Sequence, residues 1–175
     1  LHTVFAQRTE QVLEALYESG RVLDAVLGNP SSFWTLRDNL PLAIAKEGIP
    51  LSFDVAFSRS RLVAFRDQAA QWLEHEHPLL QLYDFGHFAD GGCHLIVLVP
   101  HAHIARYGIA KLVAVRSGLY KLVSENGGCF SAEHGVGPMN AAYYSKYTAP
   151  EVQHISRAMQ QLMDPQAVLG RYRYT

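Results

Sequence analysis

A glycine-rich segment with one histidine on each side, "DFGHFADGGCH" at residues 84–94, restricts the local structure more than any other part of the sequence. Asp-Gly is a preferred two-residue turn because it tolerates positive φ, and the apolar run "LIVLVP" that follows is typical of a strand. A turn at Asp90-Gly91 predicts three cross-strand pairs: Ala89 with Gly92, Phe88 with Cys93, and His87 with His94. The two imidazoles would then share one face, with Cβ atoms roughly 5 Å apart. This arrangement suits a metal chelate, and it equally suits two histidines that only pack together.

The composition indicates a folded domain. Of the 175 residues 49% are hydrophobic and 18% charged, and a net charge of -1 gives no electrostatic bias toward nucleic acid. No apolar run approaches the roughly 20 residues of a membrane span, and the N-terminus lacks the pattern of a signal peptide. The chain begins at Leu1, so we expect a piece of a longer protein. Cys93 and Cys129 have neither disulfide nor metal spacing and are expected to be reduced thiols in a cytoplasmic protein.

The order of the predicted elements favours an α+β fold. Apolar periodicity predicts a helix over residues 7–27 that breaks at Ser19-Gly20 and resumes as a second short helix. Further helices are expected at 32–46, bent or divided at Pro41, and at 58–77, at 104–126 and in a tail ending near 165. Gly48 and Pro50 are expected to precede a strand at 51–57, and the hairpin adds two more strands. An antiparallel sheet covered by helices on one side follows from this order.

A second group of polar residues, "SAEHGVG" at 131–137, comes directly after the predicted helix stop "ENGG" and is expected to be a loop. Neighbouring side chains in an extended loop point in different directions, so Glu133 and His134 can have separate roles. Two histidines and a carboxylate form a ligand set for a divalent metal, and a further histidine can accept a proton near neutral pH. The spacing alone leaves metal binding and a purely structural role open.

Together these segments resemble the C-terminal domain of FAD-linked oxidases of the vanillyl-alcohol oxidase type. The similar branch contains D-lactate dehydrogenase, the glycolate oxidase flavoprotein subunit and D-2-hydroxyglutarate dehydrogenase. It is recognised by "GHxGDGNxH" followed by "EHGxG", and this chain has "GHFADGGCH" at 86–94 and "EHGVG" at 133–137 in the same order. The resemblance implies a ferredoxin-like-derived substrate domain over residues 1–175, with the N-terminal FAD-binding domain absent from this chain. It also explains why the chain has no nucleotide-binding glycine loop.

The resemblance implies a role for each residue of the site. His87, His94 and Glu133 would bind a divalent metal, zinc or manganese, beside the FAD held mainly by the missing domain. His134 would remove the hydroxyl proton of a small D-2-hydroxy acid while its hydride passes to the flavin, giving the 2-oxo acid. Arg37, in the "LWxxR"-like segment, would pair with a substrate carboxylate. The intact protein is thus expected to be an FAD-dependent 2-hydroxyacid dehydrogenase that has no nucleic-acid partner. Its electron acceptor is left unassigned, and a homodimer is one of the oligomeric states that stay open.

Four positions differ from the family pattern. Ser52, Gly92, Ile96 and Asn140 stand where relatives commonly have lysine or asparagine donors, so we expect fewer partners for a second, distal substrate carboxylate. Two other classes of function stay open: a metal-dependent hydrolase that uses the same residues, and a non-catalytic binding or dimerisation domain. The isolated fragment is expected to be inactive by itself.

Overall fold

The computed structural model describes residues 2–26 and 28–169. These divide into a first unit, which ends at residue 42, and a second unit, which begins at residue 43. The first unit contains helix α1, His2–Glu18, and most of helix α2, Pro30–Ala45. Gly20 ends the first helical segment at a φ of 69°, and residues 21–26 are not helical, so the predicted second short helix is wrong there. Leu27, at the end of that prediction, lies outside the described residues. Helix α2 continues through Pro41 without being divided.

The second unit is built on a four-stranded sheet. Its strands are β1, Gly48–Ala56; β2, Gln81–Phe85; β3, Gly92–Pro100; and β4, Cys129–Phe130. They lie in the order β2-β3-β1-β4 with every pair antiparallel, which confirms the predicted α+β class. Strand β1 begins at Gly48, earlier than predicted, and it includes Pro50. β4 pairs with Val55 and Ala56, so among the described residues no strand pairs with the first part of β1 on that side, where a proline is tolerated.

Alternation along the central strands separates the core from the site. One face of the sheet packs against helices α3, Arg59–Glu76, and α4, Ile109–Glu125. The strand residues on this core face are Leu51, Phe53, Val55, Leu95, Val97 and Val99. Successive residues of a strand point to opposite faces, so Asp54 and His94 lie on the other face. Cys93, which precedes His94, is buried in the core.

The predicted register of the hairpin is wrong. Phe85, not His87, pairs with His94, and a loop of residues 86–91 replaces the two-residue turn, so the other two predicted pairs are also absent. In this loop the carbonyl of His87 accepts from the N–H of Asp90 and of Gly92, and Asp90 Oδ1 accepts from Gly92 N–H as well. These local bonds compete with the tight turn. The register moves by two residues, an even number, which keeps the alternation of faces unchanged.

The second half of the chain contains more elements than predicted. A short 3-10 helix, His101–Arg106, precedes α4, which therefore begins after residue 104. The predicted loop after α4 contains β4, and the predicted tail is two helices, α5, Gly137–Tyr147, and α6, Pro150–Met163. Pro150 restrains the preceding residue to an extended conformation and separates them. None of the described helices is both long and apolar enough to cross a membrane.

Candidate metal and substrate site

The site begins with a cross-strand pair in the middle of the sheet. Asp54 on β1 is directly opposite His94 on β3, and Asp54 Oδ1 lies 3.6 Å from His94 Nδ1. Both side chains are largely buried, with 8% and 13% of their surfaces exposed. His94 Nδ1 is itself buried and has no hydrogen-bond partner in the described structure. The pair therefore places a carboxylate and an imidazole side by side on the face opposite the core.

The "EHG" loop is attached to this pair through its main chain. The N–H of Ala132 donates to the carbonyl of Asp54 at 3.2 Å. The N–H groups of Glu133 and His134 both donate to Asp54 Oδ2, at 2.6 and 2.8 Å. Ser131 adopts a φ of 61°, and its hydroxyl donates to the carbonyl of Gly135, which closes the loop on itself. The predicted loop segment is thus an ordered turn against the edge of β1.

The carboxylate of Glu133 lies between the two histidines of the hairpin. Glu133 Oε1 is 3.6 Å from His87 Nε2, and Oε2 is 3.8 Å from His94 Nε2. These separations are too long for hydrogen bonds. Two ligand atoms that each lie about 2.1 Å from a tetrahedral zinc ion are about 3.4 Å apart. Each histidine therefore lies at about the distance from Glu133 that separates two ligands of one cation.

His87 reaches this position although it is not in a strand. Its ring centroid lies 5.7 Å from that of His94, so the contact expected from the sequence is present despite the changed register. Gly86 has a φ of 127°, and a Cβ there would lie 3.0 Å from His94 Cδ2. At Gly91 a Cβ would lie 2.2 Å from the carbonyl oxygen of Phe57. The two glycines thus allow the loop to fold closely around His94 and against the end of β1.

His134 is the most accessible member of the group. Its ring stacks on that of His94 with centroids 5.2 Å apart and planes inclined by 6°. Its Nδ1 lies 4.0 Å from Asp54 Oδ2, and 68% of the side chain is exposed. A neutral imidazole with one nitrogen free can accept a proton. The position of His134 is compatible with contact to a bound small molecule.

The donor types fit a divalent cation. Asp54, His94, Glu133 and His134 each offer a donor atom, and these atoms lie within 4.8 Å of one another. This group shares His94 and Glu133 with the predicted ligand set, whereas His87 joins it only through its distance to Glu133. Imidazole nitrogens with carboxylate oxygens suit zinc and are compatible with manganese. Metal binding by His87, His94 and Glu133 stays a prediction.

The comparison with protein families agrees with this geometry. The model of "FAD linked oxidases, C-terminal domain" matches residues 2–174. The chain belongs to this family. The resemblance carried by "GHFADGGCH" and "EHGVG" is therefore confirmed, and the two segments of this FAD-linked oxidase domain meet at Glu133.

The similar curated proteins are dehydrogenases. One is the D-2-hydroxyglutarate dehydrogenase of Stutzerimonas stutzeri, 27% identical over 171 residues, which cover 94% of this chain and 37% of that protein. The mitochondrial D-2-hydroxyglutarate dehydrogenases of Arabidopsis thaliana and Rattus norvegicus are 28% and 25% identical, over 95% and 96% of this chain and 29% and 31% of their own lengths. The chain thus spans about a third of the length of these relatives.

Other predicted residues have different surroundings. Arg37 lies on α2 in the first unit, where its guanidinium pairs with the neighbouring Asp38 at 3.2 Å, and its substrate-binding role stays a prediction. Asn140 accepts a hydrogen bond from the hydroxyl of Tyr120. Ile96 is buried in a small apolar cluster with Ile44 and Leu98. These two departures from the family pattern therefore have packing or bonding roles within this domain.

Asp54 is a site residue that neither sequence motif identifies. The two sequence motifs do not include this residue. The signal was an acidic residue inside the alternating apolar strand "LSFDVAF", and the pairing of β1 with β3 places this residue opposite a motif histidine. A buried carboxylate in a central strand needs hydrogen-bond donors, and here the "EHG" loop supplies two.

Proposed function

We propose that this domain is the substrate-binding part of an FAD-dependent dehydrogenase that oxidises a D-2-hydroxy acid to the 2-oxo acid. Family membership and the names of the relatives support the reaction class. The observation that carries the proposal is the position of the Glu133 carboxylate, close to both hairpin histidines and next to His134. The FAD-binding domain is proposed to lie outside this chain, which spans only part of its relatives.

The proposed ligands of the metal are His87 Nε2, His94 Nε2 and the Glu133 carboxylate. When bound, a zinc or manganese ion supplies a Lewis acid that chelates the 2-hydroxy acid, and FAD supplies the hydride acceptor. The three side chains come from the hairpin and the "EHG" loop, so the site forms only when these parts of the chain meet. Nearly half of the Glu133 side chain is exposed, which leaves one side of the group open for substrate.

The proposed base is His134. Its Nδ1 lies on the side of Asp54, so Nε2 is the nitrogen left for the substrate hydroxyl. In the proposed reaction this nitrogen would take the hydroxyl proton of the substrate, and FAD would supply the acceptor for the α-hydride, so that the 2-oxo acid is formed. General-base catalysis of this kind contributes about 10²–10⁴-fold to the rate.

Metal binding by the chain is tested with Glu133→Gln, which removes the charge and keeps the shape. The wild-type chain, freed of metal, is expected to bind Zn²⁺ or Mn²⁺ in calorimetry at one ion per chain. Loss of an outer partner of a ligand costs about 10–100-fold in affinity, so loss of the ligand itself should cost at least about 100-fold. Glu125→Gln is the matched control, because Glu125 is exposed and pairs with Lys121. Equal affinity in Glu133→Gln and Glu125→Gln would contradict the ligand assignment.

The reaction is tested with a flavoprotein that includes this domain. Anaerobic mixing with a panel of D- and L-2-hydroxy acids, including D-lactate and D-2-hydroxyglutarate, is expected to bleach the flavin with D-substrates only. His134→Asn should slow bleaching by about 10²–10⁴-fold, whereas His75→Asn, at an exposed histidine bonded to Glu76, should leave the rate unchanged. A flavoprotein that no hydroxy acid reduces, or a bound metal that hydrolyses substrates without flavin, would refute the proposal.

A further inference from the structure

Asp54 connects the two sequence segments of the site. One of its carboxylate oxygens, Oδ2, accepts from the N–H groups of Glu133 and His134, and the other, Oδ1, faces Nδ1 of His94. We propose that Asp54 is the positioning residue of the site, which holds the "EHG" loop with one oxygen and orients the His94 ring with the other. Its functional consequence rests on the proposed function above, whereas its structural role can be tested without metal or flavin.

The hydrogen bonds identify Asp54 as a partner of the ligands rather than as a ligand. Oδ2 is already occupied by two main-chain donors at 2.6 and 2.8 Å. A lone carboxylate oxygen with two short donors has little capacity left for a cation. Oδ1 is 3.6 Å from His94 Nδ1, whereas His94 Nε2 is directed to Glu133. A histidine that binds metal through one nitrogen commonly donates its other N–H to a carboxylate, which fixes the orientation and tautomer of the ring.

The charged neighbours and the burial of Asp54 connect this side chain to the site alone. Within the described residues, its ion-pair partners at 4.0 Å or less are His94 and His134, and none is a lysine or arginine. Asp54 is also the one buried acidic residue of the described chain, with 7% of its surface exposed. Burial of a carboxylate without a permanent cation is costly and is offset here by donors that all belong to the site. A leucine or an alanine at position 54 could not accept these hydrogen bonds, so the shape of the site depends on this side chain.

The structural part of the proposal is tested on the metal-free chain by NMR. In Asp54→Asn one oxygen becomes an amide nitrogen, which cannot accept, so either the loop amides lose their acceptor or the carboxylate oxygen that faces His94 Nδ1 is lost. The amides of Glu133 and His134 are expected to exchange with solvent at least about tenfold faster. The neutral His94 ring, which should carry its proton on Nδ1 in the wild type, is expected to shift to a mixture of tautomers in long-range proton–nitrogen spectra.

The matched control is Asp84→Asn. Asp84 is also a partly buried acid of the sheet, but it bonds to Arg66 at 2.5 Å and makes none of the contacts of Asp54. It should leave the exchange of both loop amides and the His94 tautomer unchanged. Asp54→Ala removes both carboxylate oxygens and should give the larger effects. Asp54→Asn keeps the side-chain volume should the alanine variant fail to fold. Unchanged amide exchange and an unchanged tautomer in Asp54→Asn would overturn the proposal.

The functional part is tested by Zn²⁺ and Mn²⁺ calorimetry on the same variants. Asp54→Asn is expected to weaken metal binding by about 10–100-fold without changing its stoichiometry of one ion. Loss of an entire binding event would instead make Asp54 a ligand and overturn its assignment as a positioning residue. A wild-type chain that binds neither ion would count against the proposed metal site, while the NMR measurements would still decide the role of Asp54.

Discussion

Replacement of Gly91 by alanine is the sharpest test of how the hairpin loop is held. Gly91 has a φ of 99°, and its carbonyl accepts a hydrogen bond from Phe57 N–H at 3.0 Å. An added Cβ would lie 2.2 Å from the Phe57 carbonyl oxygen, so the loop must move away from the end of β1. A residue held in a sparsely populated conformation costs about 1–3 kcal/mol, and the lost hydrogen bond costs about 0.5–1.5 kcal/mol. We therefore expect Gly91→Ala to lower the free energy of unfolding by about 2–4 kcal/mol.

The measurement is equilibrium denaturation in urea, followed by tryptophan fluorescence. The chain has two tryptophans, so a Trp34→Phe background leaves Trp72 on α3 as the reporter of the second unit. Gly137→Ala is the control, because Gly137 has a φ of 57° but nothing within 4 Å of an added Cβ. It should show the conformational strain alone, about 1–2 kcal/mol. A loss in Gly91→Ala no greater than in Gly137→Ala would refute the close packing of the loop on Phe57.

Three further predictions concern the core and the thiols. Leu95→Ala, at a fully buried position, should lower the free energy of unfolding by about 2–5 kcal/mol in the same denaturation assay. At pH 8 a thiol reagent should modify exposed Cys129 in the folded chain and reach Cys93 only in denaturant. Burial, with a smaller contribution from Asp84, raises the pKa of Cys93 to about 12. Between pH 9 and 12 the Cys93 thiol therefore keeps its proton in the folded state, whereas the unfolded chain, in which the pKa is 9.0, loses it. The urea midpoint should fall as the pH rises through this range, and it should fall less steeply in Cys93→Ala.

The hairpin shows why one part of the site could be predicted from the sequence although its register could not. Alternation of side chains depends only on whether a shift is even or odd, and the loop shifts the pairing by two residues. This keeps His94 on the predicted face, and His87, although it lies in the loop, remains its neighbour with ring centroids 5.7 Å apart. The loop conformation depends on the bond between Gly91 and Phe57, a contact between distant parts of the sequence that turn propensities do not contain.

Helix α1 and the segment after it illustrate a different limit. Apolar periodicity correctly predicted a helix that stops near Gly20, because glycine at positive φ is a local signal. The same periodicity continues through Val22, Leu23 and Val26, where the described chain is not helical. Periodicity reports that a helix would be amphipathic, and it does not report whether a surface is available to bury the apolar side. Leu23 and Val26 are 88% and 72% exposed in this structure.

The position of Glu133 depends on the shortest strand of the sheet. Strand β4 has only two residues, Cys129 and Phe130, and such a short apolar pair gives no period that could distinguish it from a loop. It pairs antiparallel with the end of β1, with Phe130 opposite Val55. Because the two strands run in opposite directions, the chain after Phe130 runs back along β1 from Val55 toward Asp54. The N–H groups of residues 132, 133 and 134 consequently reach the backbone and side chain of Asp54, and the Glu133 carboxylate is brought to the histidines of β3 and its hairpin. The pairing of β4 with β1 and the buried carboxylate of Asp54 thus bring together two motifs that are far apart in the sequence.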